Sequence, residues 1–258
     1  MLQKNHINFI NSPIIHLNEV DSTNNYASKL LQTTTVLEGT LIKTDFQTGG
    51  KGHFGSKWFS SAGKNVLISI VLNPSWLTGS HLTTFNKAIA LAVQNTISEF
   101  LSEDVFIKWP NDILVGNKKI SGILIENTFK GSGISHSIVG IGININESQF
   151  PESLSSATTM LATTGKKFDV QEIITILRDN LAFWYQQLYD GEFDMVISAY
   201  HQKLFGVGQW MLFKDNNNVQ FFGQVQEVDA LGNLVILEQN GTLRSFAHKE
   251  VSMMLNQI

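Results

Sequence analysis

Hydrophobic and polar positions along the first part of the chain change from the spacing of strands to the spacing of helices and back. Residues 40–46 alternate as a strand does, and the near-continuous apolar run 65–72 predicts a buried strand. Apolar residues recur every three or four positions over 82–101 and 173–188, which predicts two long amphipathic helices. A shorter helix is predicted over 22–32, because a serine stands at its N-cap position ahead of helically spaced apolar residues.

More strands follow the first long helix. The segment 105–109 is predicted to be a strand, and 113–126 a hairpin with a two-residue Gly-Asn turn. A further strand is predicted over 137–145. The second long helix is preceded at 169–172 by an aspartate and a glutamate with the spacing of a capping box, and a third helix is expected over 192–204.

The pattern changes after Gly206, where short apolar segments are separated by turn residues. This change predicts a small all-β unit of roughly fifty residues. We therefore expect two domains, 1–204 and 205–258. The predicted strands of the second are 210–213, 219–228, 233–238, 244–247 and 251–254.

The amino-acid composition limits the partners and the compartment that are expected for this protein. The chain has 258 residues and is 43% hydrophobic, enough to bury an ordinary core. Lys+Arg number 18 and Asp+Glu 22, a formal charge of -4 that argues against a nucleic-acid partner held by phosphate contacts. Cysteine is absent, which excludes disulfides and a cysteine nucleophile and makes the cytoplasm the expected compartment. The N-terminal sequence lacks the apolar core of a signal peptide, and no apolar run reaches the roughly 20 residues of a membrane span.

A glycine-rich segment, G-K-G-H-F-G at 50–55, has the spacing G-x-G-x-x-G. A dinucleotide site needs the last glycine to open a helix and an acidic residue about 20 positions further on. Here the segment leads instead to the strand at 65–72, and residues 66–98 contain no Asp or Glu. Kinase motifs and a phosphate-binding P-loop are also absent from the sequence. What remains is a flexible loop whose amides, with Lys51 and His53, suit an anionic ligand; the loop alone is equally compatible with an ordinary surface loop.

Several short motifs stand in a particular order around this loop: S-T-N at 22–24, Gln47, Trp58, K-W-P-N-D at 108–112, K-I-S-G-I-L-I-E at 119–126 and G-I-G-I-N at 140–144. The series resembles biotin protein ligases over about residues 14–255. The resemblance implies an α+β fold: a catalytic domain like that of class II aminoacyl-tRNA synthetases, with a sheet flanked by helices, and a small C-terminal SH3-like β-barrel. It also implies the ligase-only type, because the S-T-N element begins too early for an N-terminal DNA-binding domain.

The implied reaction has two steps. Biotin and ATP form biotinyl-5′-AMP, and the biotinyl group then passes to a lysine of a biotin carboxyl carrier domain. Biotin and ATP are the expected ligands, with Mg²⁺ held mainly by the ATP phosphates and no dedicated metal site. The carrier domain of a biotin-dependent carboxylase is the expected partner, and a homodimer is left open because relatives are often dimers.

The resemblance also assigns residues. Three are expected to act in catalysis: Lys119, Lys51 and Asp112. Those expected to bind biotin are Ser22, Thr23, Asn24, Gln47, Gly50, Lys51, Gly52, His53, Lys119 and Gly122. Those expected to bind ATP or the adenylate are Lys51, His53, Gly55, Trp58, Asn111, Asp112, Lys119 and Asn144.

Each assignment has an ordinary structural alternative. A serine before a helix caps it, and a lysine in a hairpin is usually solvated. Asn and Asp after a proline form turns, and a tryptophan most often packs in a core. Without the resemblance, the structural reading of Lys119 would be favoured.

The sequence departs from the family pattern in two places. Lys51, His53 and Ser56 stand where the family loop has arginines, so we expect the adenylate to be retained less firmly. The C-terminal segment 250–254 lacks an arginine that many relatives have, which argues against a contribution of the C-terminal unit to ATP binding.

Three other functions have weaker support in the sequence. A lipoate ligase or octanoyltransferase shares the fold, but S-T-N, Gln47 and K-W-P-N-D favour biotin. A non-catalytic biotin sensor or repressor is disfavoured by the acidic balance and the lack of a DNA-binding domain. An NAD-binding oxidoreductase rests on the glycine spacing alone.

Overall fold

The computed structural model describes residues 7–131 and 133–255. The N-terminal sequence considered for a signal peptide includes residues 1–6, which lie outside the described residues. No helix among the described residues is long and apolar enough to cross a membrane.

A seven-stranded mixed sheet forms the larger part of the fold. Its edge strands are β1 at one side and β4 at the other, in the order β1-β2-β3-β7-β6-β5-β4. β1 and β2 are parallel, whereas the other neighbours are antiparallel. The strands are β1 (Ile14–Val20), β2 (Leu41–Gln47), β3 (Val66–Leu72), β4 (Val105–Lys108), β5 (Asp112–Val115), β6 (Lys118–Lys130) and β7 (Gly133–Ile143).

Helices cover both faces of this sheet, which explains why β3 is apolar at nearly every position. Ile68 and Ile70 belong to the main core, together with residues of the two long helices. Val71 points the other way, into a smaller core with Ala27 of the short first helix. The helices are α1 (Thr23–Thr33), α2 (Leu82–Ser98), α3 (Met160–Thr164), α4 (Val170–Tyr189) and α5 (Phe193–Lys203).

The C-terminal strands form a separate antiparallel sheet in the order β11-β10-β9-β8-β12. No pairing between β11 and β12 closes it within the described residues, so the closed barrel that we expected is not found. The strands are β8 (Trp210–Asp215), β9 (Gln220–Val228), β10 (Leu234–Glu238), β11 (Leu243–Phe246) and β12 (Val251–Met253).

Hydrogen bonds join the C-terminal sheet to the larger one. Trp109 donates through Nε1 to the carbonyl of Gly232 at 2.9 Å. On α2, the ammonium of Lys87 donates to the carbonyl of Val228 at 2.8 Å. Both sheets also contribute to one continuous hydrophobic core, so their relative position is fixed by buried contacts.

Three features differ from the sequence expectation, and one of them is the helix α3, whose five residues are too few to show a helical period. β1 was not predicted, because it is an edge strand whose side chains are all at least partly exposed and whose pairing with β2 uses backbone groups. The expected capping box before α4 is present only in part: Asp169 accepts a hydrogen bond from the amide of Gln171 at 2.8 Å.

Candidate active site

A cavity of about 330 Å³ opens where the loop after β2 crosses the strands β6 and β7 beside the start of α1. The C-terminal sheet borders it from the other side. The lining residues are Ser22, Thr23, Asn24, Gln47, Lys51, Gly52, His53, Ser56, Lys57, Trp58, Ile68, Lys108, Pro110, Asn111, Asp112, Lys119, Gly122, Ile123, Leu124, Gly140, Ile141, Gly142, His248 and Lys249.

A hydrogen-bonded array forms one end of the cavity at the start of α1. Gln47 Oε1 accepts from the amide of Thr23 at 2.8 Å, so the glutamine caps the helix and its own Nε2 can donate to a ligand. Ser69 Oγ lies 2.7 Å from Thr23 Oγ1 and 2.6 Å from Asn24 Oδ1. Asn24 Nδ2 in turn donates to Glu126 at 2.7 Å. These hydrogen bonds hold the side chains of Thr23, Asn24 and Ser69 in place, and all three residues are buried.

Ser22 precedes this array and occupies the N-cap position of α1. Its side chain makes no capping hydrogen bond, and the residue is only 2% exposed. The capping alternative for Ser22 is therefore wrong. Ser22 lines the cavity instead.

Glycines in β6 and β7 allow Trp58 to lie against the sheet. A Cβ atom on Gly142 would come within 2.4 Å of the indole ring, and one on Gly122 within 2.9 Å. A Cβ on Gly140 would meet Asn24 Oδ1 at 2.3 Å. The glycine spacing in these strands is therefore explained by close approach of two side chains, with Trp58 forming an apolar wall of the cavity.

An ion pair marks the opposite end of the cavity. Lys119 Nζ lies 2.5 Å from Asp112 Oδ1, and Lys108 Nζ lies 4.0 Å from the other oxygen of the same carboxylate. Burial lowers the pKa of Lys108, an effect that the charge of Asp112 opposes. Lys119 Nζ also lies 5.5 Å from the centroid of the Trp58 ring, so this cation sits beside the apolar wall.

Backbone hydrogen bonds across Lys119 position its side chain. Its amide donates to Ser156 O at 2.8 Å, and the amide of Thr158 donates to the Lys119 carbonyl at the same distance. A register shift in the pairing of β5 and β6, between Ile113 and Leu114, occurs at the same place. Such irregularities re-aim side chains, and here the lysine faces the cavity.

The glycine loop folds back on itself over the cavity. The amide of Gly52 donates to Ser56 O at 2.6 Å and that of Trp58 to Gly50 O at 2.9 Å. The ring centroid of His53 lies 4.9 Å from that of His248 in the C-terminal sheet. Burial lowers the pKa of His53, an effect that the charge of Asp112 opposes and that nearby lysines reinforce.

Most of the predicted site residues meet in this cavity. Gly50 lies directly behind the lining, because a Cβ there would meet Trp58 O at 2.6 Å. Gly55 lies on the exposed part of the loop with a φ of 80°. Asn144 is buried and donates to Thr158 O at 3.2 Å. Neither Gly55 nor Asn144 borders the cavity, so their contact with a nucleotide stays a prediction.

Sequence reasoning missed several residues of the site. Lys108 belongs to the K-W-P-N-D motif, so its position beside Asp112 could have been inferred. Ser69 stands inside an apolar strand, where a lone serine was the available signal. His248 and Lys249 reach the cavity from the C-terminal sheet, and nothing in the sequence near them indicates this.

The lining is strongly cationic. Among the described residues that border the cavity, Asp112 is the one carboxylate. No group of three or more histidine or acidic side chains in the described part of the chain could hold a metal ion. Such a surface fits a polyanion, and five lysines supply the charge: Lys51, Lys57, Lys108, Lys119 and Lys249.

Known proteins resemble this chain in sequence and in structure. The sequence pattern of the Biotin/lipoate A/B protein ligase family matches residues 17–144. "Bifunctional ligase/repressor BirA" of Bacillus subtilis is 29% identical over 219 residues, which make up 84% of this chain and 66% of that protein. "Biotin--[acetyl-CoA-carboxylase] ligase" of Paracoccus denitrificans is 27% identical over 226 residues, covering 85% of this chain and 92% of the relative.

Among solved structures, the Aquifex aeolicus biotin protein ligase in complex with biotin and ATP superposes with a TM-score of 0.77 and 28% identity. The superposition covers 93% of this chain and 98% of that one. The sequence match and the structural match span the strands and loop that build the cavity. In sequence and in fold, the chain is therefore similar to members of the Biotin/lipoate A/B protein ligase family.

Proposed function

We propose that this chain is an ATP-dependent biotin protein ligase, which joins biotin to a lysine of a biotin carboxyl carrier domain through biotinyl-5′-AMP. One observation carries the proposal: a single cavity combines a fixed hydrogen-bonding array, an apolar wall and a cluster of lysines. Biotin has a ureido head, an apolar body and tail, and a carboxylate that must meet the phosphates of ATP. The hydrogen-bonding array fits the ureido head, the apolar wall fits the body and tail, and the lysines fit the carboxylate and the phosphates of ATP.

The array at the start of α1 would bind the ureido group. Ser22 and Thr23 offer hydroxyls, and Gln47 offers its Nε2 to the ureido carbonyl, while Asn24 holds the array in place. Gly122 would contact the apolar part of biotin, and Trp58, which borders the same cavity, would also contact the adenylate, as the resemblance implies. Trp58 Nε1 is buried and has no hydrogen-bond partner among the described residues, so it can donate to a ligand atom.

The first step is an in-line displacement at the α-phosphorus of ATP. A carboxylate oxygen of biotin forms the new P–O bond, and the bond to the bridging oxygen breaks as pyrophosphate leaves. Negative charge develops on the α-phosphate oxygens, and Lys119 stabilises it while Asp112 holds the lysine in position. Lys51 and the loop amides, with Gly50, Gly52 and His53, would hold the carboxylate and then the adenylate.

The second step consumes the adenylate. The neutral ε-amine of a carrier lysine attacks the biotinyl carbonyl, the amide bond forms, the amine loses its proton, and AMP leaves. No covalent intermediate with the enzyme is needed. Mg²⁺ neutralises phosphate charge when it is bound, and the ATP phosphates would be its main ligands, with Asn111 and Asp112 nearby.

The division into two domains, the fold type of each domain and the cellular compartment are part of this proposal as well. Residues 1–204 would form the biotin- and ATP-binding domain, related to class II aminoacyl-tRNA synthetases, and 205–258 the SH3-like unit. The mixed sheet flanked by helices and the antiparallel sheet of residues 210–253 support this division. The reaction would take place in the cytoplasm, where ATP and the carboxylase are available, and nucleic acid is not a partner of this proposal.

Lipoate or octanoate is the alternative acid substrate, since the matched family includes lipoate ligases. Neither acid has a ureido group to use the array at the start of α1. The exchange of pyrophosphate into ATP, measured with each acid in turn, distinguishes biotin from lipoate and octanoate as the substrate. We expect exchange with biotin and none with lipoate or octanoate; exchange with either of the latter in preference to biotin would refute the assignment.

A further inference from the structure

A chain of hydrogen bonds leads from the surface of β6 to the wall of the cavity. Glu126 is exposed, and its Oε2 accepts from Asn24 Nδ2 at 2.7 Å. Asn24 Oδ1 lies 2.6 Å from Ser69 Oγ, which in turn lies 2.7 Å from Thr23 Oγ1. Thr23 borders the cavity, whereas Glu126 and Ser69 do not. Each of these contacts is so short that one proton must lie between its two atoms.

Glu126 sets the orientation of the Asn24 amide. A carboxylate accepts hydrogen bonds and does not donate them, so the amide turns its Nδ2 towards Glu126. The carbonyl of Leu124, 3.4 Å from the same nitrogen, is a second acceptor on this side. The opposite orientation would bring the Asn24 oxygen against the carboxylate. Asn24 Oδ1 therefore faces Ser69, in the space that the missing Cβ of Gly140 leaves free.

The orientation of Asn24 determines the direction of the remaining hydrogen bonds. Asn24 Oδ1 carries no proton, so the Ser69 hydroxyl donates its single proton to it. Ser69 Oγ then offers only lone pairs to Thr23, whose hydroxyl must donate across the 2.7 Å contact. Gln47 Oε1, 3.2 Å from Thr23 Oγ1, is also an acceptor. Since both neighbours are acceptors, the Thr23 proton stays within the array, and Thr23 Oγ1 presents lone pairs to the cavity.

Gln47 presents the opposite group beside this acceptor. Its Oε1 accepts from the amide of Thr23 at 2.8 Å, so its Nε2 is the group that can donate to a ligand. The site therefore offers one acceptor and one donor side by side. A ring in which an N–H group adjoins a carbonyl matches this pair, and the ureido head of biotin is such a ring. The dithiolane ring of lipoate and the alkyl chain of octanoate have neither group.

We propose that Glu126 and Ser69 are positioning residues that make the site selective for a ring N–H group. They act through Asn24, whose amide passes the direction set at the surface to the Thr23 hydroxyl. Selectivity then depends on the direction of a hydrogen bond as well as on the shape of the cavity. This inference rests on the proposed function, and it extends the recognition of biotin to two residues that do not border the cavity.

The test measures by calorimetry how the full chain binds biotin and its two cyclic carbamate analogues, in each of which oxygen replaces one ring N–H group. An oxygen that faces Thr23 Oγ1 brings two acceptors together. We therefore expect the wild type to bind at least one analogue about tenfold or more weakly than biotin. Glu126→Lys replaces an acceptor by a donor at an exposed position, which turns the Asn24 amide and reverses the chain. The ratio of the two Kd values should then fall towards one.

Three further variants complete the test. Glu126→Gln retains an acceptor oxygen and should keep the ratio of the wild type. Ser69→Ala interrupts the chain at its centre, which frees the Thr23 hydroxyl to donate, and should lower the ratio as Glu126→Lys does. Glu103→Lys makes the same change of charge at an exposed residue outside the cavity and should leave the ratio unchanged.

Two kinds of failure are distinguishable. If the wild type binds biotin and supports pyrophosphate exchange, the inference is overturned by an unchanged ratio in Glu126→Lys, by an equal fall in Glu103→Lys, or by analogues that bind the wild type as tightly as biotin does. In each of these cases the proposed function stands. A wild type that neither binds biotin nor supports the exchange would refute the proposed function and this inference with it.

Discussion

The ion pair of Lys119 and Asp112 lies beside Trp58, which forms the apolar wall of the cavity. Lys119 is about one-third exposed, and its main-chain bonds to Ser156 and Thr158 hold it whether or not its side chain is present. In the proposed function its role is chemical and not structural. Asp112 is a positioning residue, because it contacts the lysine and is acceptor-only when ionised.

Replacement of Lys119 by alanine is expected to slow adenylate formation about 10²–10³-fold, the typical loss when one transition-state charge contact is removed. Single-turnover formation of biotinyl-5′-AMP measures this. Lys118→Ala is the matched control, because Lys118 precedes it in β6, is exposed and does not border the cavity. A similar loss in both variants would show that general charge, and not this contact, matters.

Replacement of Gln47 is expected to weaken the binding of biotin and to leave the binding of ATP unchanged. Its Oε1 is used by Thr23, so Gln47→Glu keeps the helix cap and replaces the amide donor by an acceptor. The KM for biotin should rise about tenfold or more, the usual range for an unpaired polar contact, while the KM for ATP stays unchanged. An equal rise in both KM values would contradict the placement of the ureido group at α1.

The imidazoles of His53 and His248 are expected to make the stability of the fold depend on pH. Burial lowers the pKa of each below its unfolded value, so the unfolded chain binds more protons as pH falls through that window. Stability is then complete above the unfolded pKa, about 6.5, and declines as the solution becomes more acidic. Their charged surroundings are Lys108, Asp112, Lys119 and Lys249.

The measurement is the Tm at about pH 7.5 and about pH 5.5, on either side of the ordinary histidine range. The fall in Tm should be smaller in His248→Gln than in the wild type. His136→Gln serves as the control, since this histidine lies on β7 outside the cavity. An unchanged fall in His248→Gln would mean that other groups cause the acid sensitivity.

At the scale of elements, the paired strands β6 and β7 form the platform for Trp58. The glycines of these two strands are evident from the sequence. A glycine motif does not predict which side chain packs against it. The apolar run at β3 and the periodicity of α2 and α4 predicted those elements correctly, because each buries a continuous face. β1 could not be found in this way, since its pairing depends on backbone groups of an edge strand.

Gly142→Ala tests this platform. The new methyl group would lie 2.4 Å from the indole, so Trp58 must move, and the free energy of unfolding should fall by roughly 1–3 kcal/mol, as for overpacked cores. Biotin binding should weaken as well. Gly133→Ala on the same strand meets its nearest atom at 3.6 Å and should change neither quantity. Denaturant unfolding and biotin titration measure both; identical curves for the two variants would argue against the contact.

At the scale of the whole molecule, the cavity is shared between two sheets. The motif series predicted many of the cavity residues contributed by the larger sheet, because they stand close together in short motifs such as K-W-P-N-D. His248 and Lys249 are more than a hundred residues away in sequence from the loop they approach. The packing of the C-terminal sheet against the larger one, in which Trp109 and Lys87 take part, brings them there.

In the proposed function, this cavity activates biotin for transfer to protein. Its most direct test is mass spectrometry of a biotin carboxyl carrier domain incubated with the purified chain, biotin and Mg-ATP. We expect a mass increase of one biotinyl group, with release of AMP, and none when the acceptor lysine of the carrier is replaced by arginine. An unmodified carrier, or a carrier modified by lipoate or octanoate but not by biotin, would contradict it.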